Sequence, residues 1–516
     1  MRLFTTTAGL RCYLENYRNS KEVGLVPTMG ALHSGHSSLI ERARRENDLV
    51  IVSIFVNPLQ FGPTEDFQQY PRQLETDRPL CEQLGVDVIF APTAVDLYGD
   101  RLPNSDSSEY LTQVVPPITM TSVLCGRSRI GHFQGVVTVV TKLLNLVQPN
   151  KAYFGQKDAQ QLAIIRRLVT DLNLPVTIVG CPIVREESGL ALSSRNQYLT
   201  LLQKAKAPVI YKALQQAEKF FKAGKCDATS VIETVKSELA LVSDFQVEYV
   251  ELVHPKTLMP LENVDDCGLL AVAVRLGSTR LIDNIVLQHR KPIVAIDGPA
   301  GAGKSTVARK VAQALGLMHL DTGAMYRAIT WRVLEAGIDF DDQPAIAELV
   351  SQSQIYLTTD ENSGTVPRVW IDGEEVTQAI RSLEVTANVS AIAAQGSVRR
   401  ELVKQQQRWG SQGGVVAEGR DIGTHVFPDA ELKIFLTASV GERARRRQQN
   451  LKDLKLESVS LEQLEQDIQE RDRRDSTRAL APLRQAVDAI ELSTDGLSIA
   501  EVTERIVSLY HQQVSI

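Results

Sequence analysis

Residues 298–306, Gly-Pro-Ala-Gly-Ala-Gly-Lys-Ser-Thr, limit the possible folds of this chain more than any other stretch. The run Lys291-Pro292-Ile293-Val294-Ala295-Ile296-Asp297 before them is apolar and β-branched, as a buried parallel strand is. The stretch from Ser305 to Leu315 after them has helical spacing. In that setting Gly298, Gly301 and Gly303 let backbone N–H groups converge on phosphate oxygens, and the helix N-terminus adds its partial positive charge. Pro299, Ala300, Ala302 and Thr306 complete the loop; Lys304 is expected to reach the β- and γ-phosphates of ATP and Ser305 to ligate Mg2+. The plain alternative is a glycine-rich strand–helix turn without a ligand, and the constrained positions with matching flanks argue against it. The loop starts beyond the midpoint of the 516 residues, so another unit of similar size precedes it.

Bulk properties narrow that setting. The length is too great for one core. A formal net charge of −6 argues against general affinity for nucleic acid or anionic membrane. No apolar stretch reaches the ~18 residues of a spanning helix. The start, Met1-Arg2-Leu3-Phe4-Thr5-Thr6-Thr7, has no signal-peptide apolar core. Cysteines 12, 81, 125, 181, 226 and 267 form no C-x-x-C pair and read as reduced thiols. The expectation is a cytoplasmic multidomain α/β protein with no tightly bound organic cofactor.

The first half alternates short apolar runs with helical patterns. Strands are predicted at Val23–Pro27, Leu49–Val56, Val86–Ala91, Ala152–Gly155 and Val176–Val184, and helices at Ser37–Glu46, Val136–Val147 and Ala159–Leu172. That alternation predicts a parallel sheet covered on both faces, with ligands at the strands' carboxyl ends. From about 185 the pattern shifts to longer helices (Leu201–Ala223, Ala228–Val242) and late strands at Phe245–Val253 and Gly268–Val274, as in a small α+β subdomain. Leu281–Leu287 is the last apolar run before the loop strand, so the join between the halves is short.

Polar residues recur after the predicted strands. Pro27-Thr28-Met29-Gly30-Ala31-Leu32-His33-Ser34-Gly35-His36 joins a strand to a helix and puts two histidines where a helix N-terminus meets an anion. A zinc site would need a third ligand at matching spacing, and none is near in sequence. Asn57 to Phe61, Gly155-Gln156-Lys157-Asp158 and Leu192-Ser193-Ser194-Arg195-Asn196 add amides, a lysine, serines and an arginine. Each alone is an ordinary turn or cap; together they fill the crevice of a parallel sheet.

These segments, with Tyr70-Pro71-Arg72, Gly131 to Gly135, Gly155 to Gln161 and Arg280 to Asn284, resemble the pantothenate synthetase family over essentially residues 1–285. The resemblance implies a Rossmann-like, nucleotidyltransferase-type sheet that condenses pantoate with β-alanine. ATP is cleaved to AMP and pyrophosphate through a pantoyl adenylate. It implies ATP contacts from Met29, Gly30, His33, His36, Gly155, Gln156, Lys157, Asp158, Val184, Leu192, Ser193, Ser194 and Arg195, with His33, His36 and Lys157 catalytic. It implies pantoate and β-alanine contacts from Gln60 and Gln161, a metal contact from Asp77, and a homodimer through this half. Gln156, Leu192 and Thr76 stand where this family more often has Glu, Met and an acid.

After the phosphate loop there is no Asn-Lys-x-Asp base reader, and Leu432–Thr437 does not end in paired acids, so GTPase and motor ATPase readings fail. Asp321-Thr322-Gly323-Ala324-Met325-Tyr326-Arg327, Glu418 to Thr424, Val426 to Ala430, Glu470 to Arg478 and Ala481-Pro482-Leu483 are similar to the cytidylate kinase family over 291–512. The resemblance implies a P-loop nucleoside monophosphate kinase domain transferring the ATP γ-phosphoryl to CMP or dCMP. Thr322, Arg327, Arg400, Arg420, Asp421 and Asp475 would hold the monophosphate, and Lys304, Arg471 and Arg478 the transferring phosphates. Ile355–Val376, turning at Asp360, Asn362 and Gly364, matches the small sheet this family adds near its acceptor. Thr322 replaces a common Ser, and Glu418 an Asp.

The organisation expected is a synthetase main domain at 1–185, its small subdomain at 186–288 and the kinase domain at 289–516. Two alternatives stay open for the last part: a kinase for another monophosphate, or a nucleotide-sensing module without catalysis.

Overall fold

The first sheet is built from β1 (Arg2–Phe4), β2 (Val23–Thr28), β3 (Leu49–Ile54), β4 (Val88–Phe90), β5 (Lys151–Gly155) and β6 (Thr177–Cys181). The order is β1-β4-β3-β2-β5-β6 and every pairing is parallel. Alternation along the strands divides the core between two faces. Leu25 and Ile51 pack with helix His132–Val147 through Val136, Val137 and Val140. Val26, Val50 and Val52 pack on the other side with Leu39, Ile40 and Ala43 of helix Ser34–Glu46. From β2 the chain steps to β3 and β4 on one side, and β5 and β6 lie on the other. The carboxyl ends of β2 and β5 therefore flank the point where strand order reverses.

The computed structural model describes residues 1–17, 21–62, 67–99, 111–289, 291–358, 368–453, 459–477 and 481–514, and it divides into two compact units, Met1–His289 and Arg290–Ile516. Within the first unit, β7 (Phe245–Val253), β8 (Cys267–Leu276) and β9 (Thr279–Gln288) form an antiparallel sheet. Helices Val209–Lys222 and Ala228–Leu239 cover it, and Leu214, Phe221, Val231, Leu239, Val272 and Val274 form a separate core there. The single helix predicted over 201–223 is two, Leu201–Lys206 and Val209–Lys222, separated around Pro208, which has no N–H to donate to the helical ladder. β1 and helix Leu74–Gln83 were not legible: the strand has three residues, and the helix contains Pro79.

The second unit contains β10 (Lys291–Asp297), β11 (Met318–Asp321), β12 (Ile355–Thr358), β13 (Arg368–Ile371), β14 (Glu374–Glu375), β15 (Gly413–Gly419), β16 (Leu432–Thr437) and β17 (Ile490–Ser493). Its main sheet is parallel with the order β11-β15-β10-β16-β17, so the phosphate-loop strand β10 is central. Ile293 to Ile296 are at most 1% exposed. Helix Lys304–Leu315 packs on one face with Val502 and Ile506. Helix Thr322–Glu335 packs on the other face. β12, β13 and β14 form the expected small antiparallel sheet, with Ile355 opposite Ile371. Asp360, Asn362 and Gly364 lie outside the described residues. Among the described residues no helix is long and apolar enough to cross a membrane.

Candidate active sites

In the first unit the chain leaves β2 at Thr28, whose hydroxyl oxygen accepts from Gly30 N at 3.2 Å. The turn that follows points its amides inward. Ala31 N and Leu32 N donate to the two oxygens of Asp77 at 2.9 and 2.8 Å. Asp77 is 3% exposed, and burial raises its carboxyl pKa against the pull of those two N–H groups. The sequence reading offered Asp77 as a metal contact. The structure sets both its oxygens beneath the 29–36 turn, where they brace backbone amides. Met29 is half-buried in the same turn.

His33 caps helix Ser34–Glu46: its Nδ1 accepts from Gly35 N at 3.1 Å, and its carbonyl accepts from His36 N and Ser37 N. A Cβ on residue 35 would lie 2.9 Å from His33 Cε1, so only glycine lets the ring fold back over the turn. The His33 and His36 rings are 4.2 Å apart between centroids. Burial and then the Lys157 charge push His33 down to about 4; burial, His33 and Lys157 push His36 down to about 3. Both imidazoles are neutral near pH 7. His36 Nδ1 is buried with no partner among the described residues.

Lys157 reaches this pair from the neighbouring strand, β5. Its loop is clamped from β9, where the Asn284 amide donates to the carbonyls of Gln156 and Lys157 at 3.0 Å each. Burial lowers the Lys157 pKa, opposed by Asp283 and Asp158. Lys157, Ser193, Asn196 and Asp283 line one small cavity. Asp283 itself holds Arg185 through two bonds of 2.6 and 2.9 Å. Gly155 ends β5, and Gln156 N donates to Cys181 O. Asp158 caps helix Ala159–Asp171 by accepting from Gln161 N. Leu192 N donates to Val184 O, Ser193 Oγ accepts from Arg195 N, and Ser194 Oγ lies 3.4 Å from Tyr70 OH. The positive charge of Arg195 is felt at Lys157.

Gln60, 8% exposed, sits in a short turn that several residues hold. Its side-chain oxygen accepts from Asn57 Nδ2 at 3.1 Å, which commits the oxygen and leaves the NH2 group as the donor. Asn57 is fully buried, accepts from Tyr98 OH at 2.9 Å and donates to Gly135 O. His132 Nδ1 lies 2.7 Å from Gln60 O. The sequence reading matched this motif but assigned no role to Asn57, Tyr98 or His132; only a link between segments distant in sequence reveals them. Gln160 donates to Met120 O and Val123 O and is buried, whereas Gln161 is half-buried and remains the candidate of the two.

In the second unit the loop follows β10. Gly298 has φ +147°, and a Cβ there would lie 2.1 Å from Leu436 O of β16, so any side chain collides with backbone. Lys304, 6% exposed, donates across the loop to Pro299 O at 2.7 Å; burial and the Arg420 charge hold its pKa well below the usual lysine value. Ser305 Oγ donates to Glu418 Oε2 at 2.7 Å, and Thr322 Oγ1 donates to the Glu418 carbonyl at 2.7 Å. Burial works to raise the Glu418 pKa, but hydrogen bonds from His319 and Ser305 hold it below the usual value. A hydroxyl and a carboxylate at the phosphate-binding helix are hard oxygen donors, which fit Mg2+. Asp297 accepts from Ile422 N and Gly423 N at 2.8 and 2.7 Å, and burial pushes it up to about 6.

Arg420 donates to Asp475 at 2.9 Å. The buried Asp421 pairs with Arg399, which is 6% exposed, while Arg400 one position on is exposed. The sequence motif offered Arg400 for the acceptor site, and the geometry adds its neighbour Arg399 as a candidate. Arg471 lies within electrostatic reach of Arg420, Asp475 and Arg327, which brings those predicted residues together. Arg478 lies outside the described residues. Arg443, read only as part of a basic run, is 4% exposed and donates to Ala300 O in the loop and to both oxygens of Asp472.

Residues 2–286 match the family model of pantoate-β-alanine ligase, and residues 294–512 that of cytidylate kinase. The crystal structure of pantothenate synthetase from Thermus thermophilus is 47% identical, with a TM-score of 0.51 over 55% of this chain and 99% of that one. A protein described as bifunctional pantoate ligase/cytidylate kinase from Trichormus variabilis is 62% identical over the full length of both chains. Another of that description, from Synechocystis sp., is 55% identical over 99% of each. Matched from end to end in this way, the chain belongs to the bifunctional pantoate ligase/cytidylate kinase family.

Proposed function

We propose that the first unit joins pantoate to β-alanine at the expense of ATP and that the second transfers the γ-phosphoryl group of ATP to CMP or dCMP. The observation that carries the first assignment is the meeting of two neutral histidines from the β2 turn with Lys157 from the β5 turn at the switch point of a parallel sheet. A pantoate carboxylate oxygen attacks the α-phosphorus, and the bond to pyrophosphate breaks. The β-alanine amine then attacks the acyl carbon and releases AMP, losing a proton. Neutral His33 and His36 donate hydrogen bonds to the departing phosphates, and Lys157, Ser193, Ser194 and Arg195 hold phosphate charge. Gln60, its amide fixed by Asn57, and Gln161 orient pantoate. In this assignment 1–185 supplies the histidines, Lys157, Gln60 and Gln161, and 186–288 adds Ser193, Ser194 and Arg195 and braces the site through Asp283 and Asn284.

For the second unit, the loop with Lys304 holds the donor phosphates, and Thr322, Arg327, Arg399, Arg420, Asp421 and Asp475 receive the monophosphate. Mg2+ at Ser305 would neutralise charge between the β- and γ-phosphates. The CMP oxygen attacks the γ-phosphorus in line while ADP leaves, and Arg471 balances charge on the transferred group.

The decisive experiment is a double dissociation on the full chain. Lys304→Ala abolishes CDP formation and leaves pantothenate formation intact; His36→Ala does the reverse. A wild-type protein that makes no CDP from CMP and ATP overturns the kinase assignment. Comparing CMP, UMP and AMP as acceptors tests its specificity.

A further inference from the structure

Glu418 stands at a junction that the kinase assignment does not itself explain. It occupies the carboxyl end of β15, between Ile296 of β10 and Asp321 of β11 in the sheet register. Its side chain is 4% exposed, and its two oxygens go to different partners. Oε2 accepts from Ser305 Oγ at 2.7 Å, and Oε1 lies 3.0 Å from Nε2 of His319. His319 is 3% exposed, and its Nδ1 has no partner among the described residues. Because Nε2 faces a carboxylate it must bear the hydrogen and donate, and a hydrogen on Nδ1 would be a buried donor without an acceptor. The tautomer is thus set by its surroundings.

A carboxylate with only one of these bonds turns freely about its terminal torsion. With both, the plane of the group is fixed, and so is the direction from which the Ser305 hydroxyl is held. We propose that His319 and Glu418 act together as positioning residues for Ser305, with His319 fixing the carboxylate so that its second oxygen aims the serine oxygen at Mg2+. This rests on the reading of Ser305 as the metal-binding hydroxyl of the kinase site. The cluster spans three adjacent strands, because His319 lies on β11 and Ser305 follows β10, and Glu418 on β15 bridges between them.

The test is calorimetric titration of ADP into the full-length protein at a series of Mg2+ concentrations, beside steady-state kinetics with CMP. In His319→Leu the Mg2+ concentration that half-maximally tightens ADP binding rises about tenfold, the size of effect seen when support is removed from a metal ligand. ADP affinity without Mg2+ and the KM for CMP stay within about twofold of wild type, since no group that touches either is altered. His319→Gln, whose amide can donate in place of Nε2, restores most of the wild-type Mg2+ dependence. Glu418→Asp keeps the charge but is one methylene too short to reach both partners, and shows the same shift as His319→Leu. An unchanged Mg2+ midpoint in Glu418→Asp or in a folded His319→Leu overturns the proposal. ADP binding to wild type that is indifferent to Mg2+ overturns the underlying metal reading instead.

Discussion

In the proposed assignment both units meet ATP phosphates at the carboxyl ends of a parallel sheet, by opposite constructions. The second unit builds its cradle from one continuous segment, residues 298–306, in which glycines, a lysine and a hydroxyl lie within nine positions. The first unit assembles an equivalent from three places: a turn after β2, a lysine after β5 and a brace, Asp77, from a helix outside both. A local cradle depends on backbone conformation and an assembled one on distant side chains, so the two should fail in different ways when perturbed.

The largest expected effect is at Gly298. A Cβ 2.1 Å from Leu436 O forces β10 and β16 apart. Gly298→Ala is expected to cost about 3 kcal/mol or more in the second unit and to remove CDP formation, with pantothenate formation unaffected. Differential scanning calorimetry with both activity assays reads this; loss of the two activities together would erase the contrast. Next, Asp77→Ala leaves two inward-facing amides unpaired at about 1–3 kcal/mol each. Ligase kcat/KM is expected to fall about a hundredfold, while nucleotide binding in the second unit is unchanged. Metal dependence separates the roles: a brace leaves the Mg2+ requirement of the ligase where it was.

Adjacent arginines give a sharper comparison. Arg399→Ala removes an ion-pair partner of the buried Asp421 and should raise the KM for CMP at least about tenfold, whereas the exposed Arg400→Ala should change it by less than about twofold. The histidine pair of the first unit and Asp297 of the second also differ in the sign of their response to acid. His33 and His36 take up protons more readily when unfolded, since their folded pKa values are depressed to about 4 and 3 from 6.5. They therefore cost stability as pH falls below 6.5. Asp297 is raised from 3.8 to about 6, so it binds its proton first in the folded state and favours folding as pH falls from about 6 to 4. Melting curves of His36→Gln and Asp297→Asn against wild type over that range should diverge in opposite directions. The smallest effect is at Tyr98: Tyr98→Phe removes one bond to Asn57, about 1 kcal/mol. It should raise the KM for pantoate a few-fold and leave that for ATP alone.

The same contrast governs what could be seen in the sequence. The loop at 298–306, the strands β2, β3 and β10, and the family motifs were legible because each is a short pattern with its own period or punctuation. The roles of Asp77, Tyr98 and His319 were not, because each acts on a segment far away in sequence, and Asn57, which holds Gln60 close by, is itself held by the distant Tyr98. Asp77 carries an acid's letter in a place where two backbone amides have taken its oxygens. Arg399 and Arg400 differ only in the helix face they occupy, and a run of charge hides that phase. The break at Pro208 was visible as a residue but was outweighed by the apolar spacing on either side.

The central place of β10 also bears on how the chain is made. β9 ends at Gln288 and β10 begins at Lys291, so this strand leaves the ribosome directly behind a completed first unit. Its lateral neighbours β15 and β16 begin only at Gly413 and Leu432. At about 5–20 residues per second, Ile293 to Ile296 spend roughly ten seconds with neither neighbour yet synthesised. Open-edged apolar strands are sites of aggregation. The second unit is thus born with its most vulnerable segment first, and that segment is tethered to an already folded domain during the interval.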